Sequence, residues 1–291
     1  MYLCPKNIKI MIIKKISDTK EKISNKYRQI TAANRALPDF IVVGAQKAGT
    51  TSLFSYLSRH PQIIPANKKE IHFFDGGLNP AVDNFSKGVE WYRSHFPSWE
   101  KMDNGIKTFE ASPLYLFNPL APERIHKMLP GVKLIAVLRD PSERAVSHYF
   151  HESRKKREDL PVMQALKAEE SRIRDAVESK NYKSHSFIHH SYKSRGLYKE
   201  QLERYYKIFP EKQIKVISSD KLFNETKEIL RELFEFIGVD TGIEISDTSP
   251  KHVSKNKKQP VSEVYDYLKD YFYQPNRELY QFLGRDFGWQ K

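Results

Sequence analysis

The sequence is poor in cysteine and contains no long hydrophobic run. Cys4 is the only cysteine among 291 residues, so an internal disulfide and a cysteine-based metal site are both excluded. A membrane-spanning helix needs about 18 or more apolar residues, whereas the apolar stretch at residues 10–13 is bordered by lysines. A signal peptide is not recognisable either. These absences indicate a reducing compartment, and we expect a cytoplasmic protein without a transmembrane segment.

Negative charge is also scarce relative to positive charge. Lys and Arg total 49 against 36 Asp and Glu, and the net charge is +13. Such an excess predicts an anionic partner. The basic residues are spread along the chain, and no zinc-finger or RNP pattern is present, so nucleic acid is not the expected partner. A content of 39% hydrophobic and 12% aromatic residues excludes disorder for most of the chain.

Short apolar runs alternate with helical patterns along the chain. Strands are predicted near 39–43, 107–110, 132–138 and 213–217, and helices near 50–59, 119–128, 142–157, 160–179, 197–208, 220–237, 261–273 and 276–283. This alternation predicts an α/β fold, in which a central parallel sheet is flanked by helices in a P-loop-like, three-layer arrangement.

Two regions of different character are expected. Residues 37–291 are predicted to form a single domain. Residues 1–36 are rich in lysine, and Ile8, Met11, Ile12 and Ile16 fall roughly on one helical face. This segment is either a tail or an amphipathic helix that packs on the domain or contacts a membrane surface. The oligomeric state is not indicated by the sequence.

A phosphate site is predicted where the first strand passes into a helix, at residues 39–53. Gly44 and Gly49 border the turn and allow the backbone to approach a ligand closely. Amides at the start of the helix would point at an anion on the positive end of the helix dipole. The amides concerned are those of Ala48, Gly49, Thr50, Thr51 and Ser52.

The loop lacks the lysine that a nucleotide-hydrolysing P-loop requires. In that motif a Lys follows the second Gly directly, whereas this chain has Thr50 there. The only loop lysine, Lys47, lies inside the turn. A lysine so placed would reach the 5′ side of a shorter phosphate chain rather than a β/γ pair with magnesium. The spacing resembles the 5′-phosphosulfate loop of sulfotransferases.

A second anion site is predicted at the end of the strand near 132–138. Arg139 ends the strand, and Pro141 suits the first turn of the helix that follows. Ser147 lies eight residues after Arg139. In sulfotransferases an Arg and a Ser at these positions hold the 3′-phosphate of the donor, so the resemblance implies that role for both residues.

The third informative segment is residues 68–75, with Lys68, Lys69, Glu70 and His72. Glu70 and His72 are two residues apart, so in an extended segment both side chains would lie on one face. Either side chain could accept a proton from an attacking group, and His72 could instead be structural. Lys68 and Lys69 are candidates for binding the acceptor.

Together the three segments resemble the carbohydrate sulfotransferases that use 3′-phosphoadenosine 5′-phosphosulfate (PAPS), of the heparan sulfate 3-O- and N-sulfotransferase type. The resemblance covers about residues 38–289. It implies that Glu70 is the catalytic base, and that Lys47 stabilises the departing phosphate. It also adds Arg195 and Tyr198 to the donor site through the segment 195–198.

The chain departs from this family at one position in particular. Family members of the animal Golgi have a lysine where this chain has Ala111, so either Lys69 or another cation compensates, or the acceptor differs. In addition, residues 252–258 loosely resemble the family's donor loop. This match makes Lys255 and Lys257 donor-binding candidates, with a solvated lysine loop as the alternative.

The sequence therefore predicts an enzyme that transfers a sulfuryl group from PAPS to a hydroxyl or amine of a carbohydrate, which we expect to be acidic. No metal is expected, because fixed cations and amides already bind the leaving group. Two alternatives stay open, namely a P-loop kinase or NTPase and an anion-binding protein without catalytic activity. Neither the acceptor nor the choice between O- and N-sulfation follows from the sequence.

Overall fold

The computed structural model describes residues 19–20, 22–103, 105–251 and 262–289. Helix α1 covers residues 22–30. The strands are β1 (Phe40–Gly44), β2 (Ile63–Pro65), β3 (Lys107–Ala111), β4 (Lys133–Leu138) and β5 (Ile214–Ser218). The other helices are α2 (Thr50–Leu57), α3 (Gly88–Arg93), α4 (Ala121–Met128), α5 (Pro141–Arg154), α6 (Val162–Glu178), α7 (His185–His189), α8 (Tyr198–Tyr206), α9 (Ser219–Asn224), α10 (Thr226–Ile237) and α11 (Ser262–Leu283).

The strands form a parallel sheet in the order β2-β3-β1-β4-β5. Val42 of β1 pairs with Ala111 of β3 on one side and with Ile135 of β4 on the other. Every residue of β1 is buried, which explains why this strand reads as an unbroken apolar run. The predicted α/β class and parallel sheet are confirmed, and the four predicted strands match β1, β3, β4 and β5 to within one residue.

The carboxyl ends of three neighbouring strands bring the predicted motifs to one edge of the sheet. β1 leads through the loop 45–49 into α2, and β4 leads through Arg139 into α5. β3 ends at Ala111, whose carbonyl accepts a 3.0 Å hydrogen bond from the amide of Glu70. Ligands of open parallel sheets bind at this edge, so the fold places the candidate residues where a ligand is expected.

Two helix predictions are wrong. The segment 261–283 is not two helices, because α11 continues through Pro275. Its buried residues Val264, Leu268, Phe272, Asn276 and Leu279 fall on one face on both sides of the proline. Packing of that face outweighs the hydrogen bond that the proline removes.

The predicted helix at 220–237 is interrupted where the sequence pattern runs on. Glu225 has φ −125° and ψ 46° and separates α9 from α10. The break lets both helices pack against β5. The sequence pattern does not indicate β2, α3 or α7, which are only three, six and five residues long.

Gly44, at the end of β1, has no room for a side chain. A Cβ atom there would lie 2.5 Å from Leu116 Cβ and 3.1 Å from the carbonyl oxygen of Pro113. We expect Gly44→Ala to lower the free energy of unfolding by about 1–3 kcal/mol, the usual cost of overpacking, in a urea titration. Gly131→Ala is the matched control, since a Cβ there meets no described atom within 4 Å. Equal stability of the two variants would contradict the prediction.

Candidate active site

The loop after β1 has the backbone of an anion site. Gly49 precedes α2 with φ 100°, and Lys47 has φ 71°, so the chain turns sharply into the helix. The first amides of a helix have no partner within it. Since Thr50, Thr51 and Ser52 form the first turn of α2, their amides are available to a phosphate at the positive end of the helix.

Lys47 lies among other cations. Burial, together with the charges of Arg154, Arg139 and Arg144, lowers its pKa to about 8, and Glu152 opposes this effect in part. A bound anion would favour the charged form of Lys47 and reduce the repulsion among these cations. The surroundings of Lys47 therefore favour a negatively charged ligand.

Arg139 connects the second predicted anion site with the loop. Its Nη1 donates to the carbonyl of Lys47 at 3.3 Å, and its Nη2 donates to Glu143 Oε2 at 2.9 Å. Ser147 lies two turns further along α5 and is partly buried. The structure thus places Arg139 directly beside Lys47, with Ser147 on the helix that Arg139 precedes.

Arg195 and Tyr198 support the loop after β1 and the end of β4 through hydrogen bonds. Arg195 is buried, with its Nη1 donating to Gln46 Oε1, its Nε donating to Ser191 Oγ at 2.9 Å, and its Nη2 donating to a backbone carbonyl of α7. The Tyr198 hydroxyl donates to the carbonyl of Arg139 at 2.9 Å. These contacts fix the loop and the end of β4, so direct donor binding by these two residues stays a prediction.

The segment with Glu70 holds four side chains linked in a row. Glu70 Oε1 lies 2.6 Å from Lys69 Nζ, and Glu70 Oε2 lies 3.6 Å from His72 Nε2. On the other side of the ring, His72 Nδ1 lies 2.6 Å from Asp75 Oδ2. The Glu70 side chain is 44% exposed, whereas that of Asp75 is buried. A solvent-accessible carboxylate is therefore held by a histidine that a buried carboxylate orients.

The protonation states of Glu70 and His72 follow from these contacts. Burial opposes ionisation of Glu70, but the nearby His72 ring and the charge and hydrogen bond of Lys69 outweigh it and lower the Glu70 pKa to about 2. Burial also opposes a charge on His72, but the charge and hydrogen bond of Asp75, with help from Glu70, raise the His72 pKa to about 9. At neutral pH Glu70 is ionised and His72 is protonated.

A second, fully buried carboxyl lies below this segment. Glu110 accepts hydrogen bonds from the hydroxyls of Tyr92 at 2.6 Å, Ser112 at 2.7 Å and Tyr115 at 3.1 Å. Burial raises the Glu110 pKa to about 7, although these three hydrogen bonds favour the ionised form. The Ser112 hydroxyl in turn accepts a hydrogen bond from the His72 amide at 3.2 Å. The Tyr115 hydroxyl accepts one from the Phe73 amide at 2.9 Å.

Of the two lysines predicted to bind the acceptor, Lys69 lies at this site. Lys69 contacts Glu70, as described above, and Lys68 is exposed. Ala111 is fully buried beside them, so the cation nearest Glu70 comes from the preceding residue rather than from β3. Lys255 and Lys257 lie outside the described residues. Among the residues that the structure describes, no group of three His, Cys, Asp or Glu side chains is arranged to hold a metal ion.

Comparison with known proteins decides the family. A sulfotransferase domain model matches residues 37–287. The chain belongs to the sulfotransferase family.

Relatives of this sulfotransferase include heparan sulfate glucosamine 3-O-sulfotransferase 3B1 of Mus musculus, with 31% identity over 89% of this chain and 66% of the relative. Membrane-associated sulfotransferase kil1 of Dictyostelium discoideum shares 28% identity over 87% of this chain and 67% of the relative. This sulfotransferase thus spans about two thirds of these relatives.

A solved structure, that of a sulfotransferase from Alicyclobacillus acidocaldarius, has a TM-score of 0.68 and 31% identity, and covers 88% of this chain and 100% of that one. The predictions of a P-loop-like sulfotransferase fold, of an enzyme of this class and of a resemblance to the heparan sulfate type are confirmed. Within the described part of the chain, no helix is long and apolar enough to cross a membrane.

Sequence reasoning missed two carboxylates of this sulfotransferase. Asp75 ends the segment 68–75 at three residues from His72, a spacing at which the two side chains can meet when the chain turns between them. Glu110 precedes Ser112 and Tyr115 at the end of a predicted strand. Polar residues at the carboxyl end of a buried parallel strand are themselves a signal of a ligand site.

The geometry of Glu110 predicts an effect of substitution on turnover. In Glu110→Gln one acceptor oxygen becomes a donor, so the hydroxyl that donates to that oxygen, Ser112 on Oε2 or Tyr115 on Oε1, must reorient. That hydroxyl then no longer supports the amide of His72 or Phe73 in the same way. We expect kcat to fall about 10-fold or more with little change in donor affinity. Single-turnover kinetics measure the first quantity and titration calorimetry measures the second.

Asp286→Asn, a change to an exposed carboxylate beyond α11, is the matched control for Glu110→Gln and should leave both quantities unchanged. An equal loss of donor affinity and turnover in Glu110→Gln would indicate general destabilisation instead of mispositioning.

Proposed function

We propose that this chain transfers a sulfuryl group from PAPS to a hydroxyl or amine of a carbohydrate, with Glu70 as the general base. The observation that carries the proposal is the position of Glu70. Its amide bonds to the end of β3, the strand next to β1, whose loop holds Lys47. The candidate proton acceptor and the candidate phosphate-binding loop thus lie at one edge of the sheet, as sulfuryl transfer requires.

The donor would bind through its two phosphate groups. The amides that begin α2 and the ammonium of Lys47 suit a 5′-phosphate, since a lysine acts as a point charge toward phosphate. Arg139 and Ser147 suit the 3′-phosphate, because the planar guanidinium offers paired donors. Support for an anionic ligand at this loop comes from the charges of Arg154, Arg139 and Arg144, which together with burial lower the pKa of Lys47.

Sulfuryl transfer forms a bond from the acceptor oxygen or nitrogen to sulfur and breaks the bond from sulfur to the 5′-phosphate oxygen. Glu70 takes the acceptor proton, and Lys47 stabilises the charge that develops on the leaving phosphate. In the free protein Glu70 is a weak base, because His72 and Lys69 lower its pKa. An acceptor hydroxyl that displaces Lys69 from Oε1 would remove one of these contacts and raise the basicity of Glu70.

The acceptor is proposed to be an acidic glycan. Relatives are named for heparan sulfate. Lys68 and Lys69 directly precede Glu70, and the whole chain has a net charge of +13. Cations on the rim of a cleft attract a polyanion and fix its register.

A cytoplasmic location stays a prediction.

The phosphate sites predict a preference between two ligands. Adenosine 3′,5′-bisphosphate should raise the melting temperature without magnesium, and magnesium-ATP should raise it much less, because a ligand that binds only the native state stabilises it. The stabilisation should weaken as the pH rises through about 8, where free Lys47 loses its proton. Differential scanning fluorimetry measures both effects, with Lys47→Met as the variant that should lose the pH dependence. Stabilisation by magnesium-ATP alone would favour the kinase alternative.

Replacement of the proposed base separates binding from chemistry. Glu70→Gln should keep the affinity for the bisphosphate and lose turnover by roughly 10²–10⁴-fold, the usual contribution of a general base. Transfer of labelled sulfate from PAPS to an acidic glycan measures the turnover. The matched control is Glu235→Gln on the exposed face of α10, for which we expect no change. Near-normal turnover in Glu70→Gln would end the proposal, because His72 is already protonated at neutral pH and cannot accept the proton instead.

A further inference from the structure

Helix α1 carries an apolar stripe on its outer face. Ile23, Tyr27 and Ile30 are 65%, 63% and 75% exposed. Their spacing of four and three residues places all three on one side of the helix. Isolated exposed apolar residues are ordinary on a protein surface, but three large ones in a row on one helix face need an explanation.

The opposite face of α1 is fixed to the protein. Arg28, which lies on the far side of the helix from the stripe, donates from Nε to the carbonyl of Ser94 at 2.6 Å and from Nη2 to that of Phe96 at 2.7 Å. Just after α1, Arg35 donates from Nη1 to the same Phe96 carbonyl at 3.0 Å. These contacts hold the helix in one orientation, so the stripe faces outward.

Positive charge borders the stripe on both sides. Lys26 of α1 falls on one flank of the stripe, and Lys20, in the helical residues 19–20 ahead of α1, falls on the other flank at about 100° per residue; both lysines are exposed. The sequence ahead of α1 is also basic, since residues 1–21 contain five lysines against two acidic residues, Asp18 and Glu21. An apolar face between lysines is the pattern of a helix that lies in the surface of an anionic membrane.

Charge and size favour a bilayer over a protein as the partner. Two copies that met through this stripe would bring their flanking lysines together, which is unfavourable. A stable protein interface buries about 800 Å² on each partner, and three side chains on an isolated helix face offer much less. A lipid surface needs no such complementary shape, and its negative charge complements the lysines.

We propose that α1 binds the surface of an anionic bilayer, with Ile23, Tyr27 and Ile30 among the lipids and the flanking lysines at the headgroup phosphates. The helix would lie parallel to the membrane plane. This proposal does not depend on the reaction that the protein catalyses.

The test is vesicle flotation of the full chain. We expect binding to vesicles that contain phosphatidylglycerol, weaker binding at high salt, and little binding to pure phosphatidylcholine vesicles. The triple variant Ile23→Ser/Tyr27→Ser/Ile30→Ser should bind at least about 10-fold more weakly. Its melting temperature should stay unchanged, because the replaced side chains are exposed. Lys20→Glu/Lys26→Glu should remove the preference for the anionic lipid.

The matched control is Val177→Ser/Tyr273→Ser, which replaces side chains that are also exposed, at 47% and 54%, but on other helices. It should bind the vesicles like the unchanged chain. Three results would overturn the proposal: no binding to anionic vesicles, binding that the triple variant retains, or a change from dimer to monomer in the triple variant by analytical ultracentrifugation. The last result would identify the stripe as an interface between copies.

Discussion

Crowded positive charge at the carboxyl edge of β1 is the constraint on which the site depends. Arg139 bonds to the carbonyl of Lys47, and the charge of the fully buried Arg144 acts on both. Like charges in a partly buried setting repel one another strongly. Burial first, and then this repulsion, lowers the pKa of Lys47 to about 8. A ligand with two phosphate groups would relieve the repulsion at two points, so the same crowding that opposes folding favours donor binding.

The two glutamates near the end of β3 show how the environment separates the roles of identical groups. Glu70 is accessible and held by cations, so its pKa falls to about 2. Glu110 has only hydroxyl partners and is fully buried, so its pKa rises to about 7. Such opposed environments are how a site assigns different tasks to two carboxyls. Glu70 suits contact with a substrate, whereas Glu110 suits the fixing of hydroxyl orientations beneath it.

Much of this arrangement was accessible from sequence because its signals are local. The turn from β1 into α2 is encoded by Gly44, Gly49 and the buried run before them, and the end of β4 by Arg139 and Pro141. Each signal lies within one strand-to-helix connection. The parallel sheet then follows from the alternation of elements, and its carboxyl edge brings these connections together.

What sequence could not supply depends on contacts between distant segments. No local sequence pattern indicates that Glu110 contacts Tyr92, or that Arg195 contacts Gln46. The motif therefore predicts that Arg195 binds a ligand, whereas in the structure Arg195 supports the loop after β1. The continuity of α11 through Pro275 is of the same kind, since the packing of its buried face against the protein, and not its own propensity, decides it.

The outward face of α1 and the segment that holds Glu70, the proposed base, are joined through one short stretch of chain. Arg28 bonds to the carbonyls of Ser94 and Phe96. Between them, the carbonyl of His95 accepts from the amide of Asn67 at 2.8 Å, three residues before Glu70. A helix attached by a long linker would leave the site free to turn in any direction. Here the direction of α1 is tied to that of the carboxyl edge of the sheet, so any surface that held α1 would also set the side from which an acceptor would reach Glu70, the proposed base.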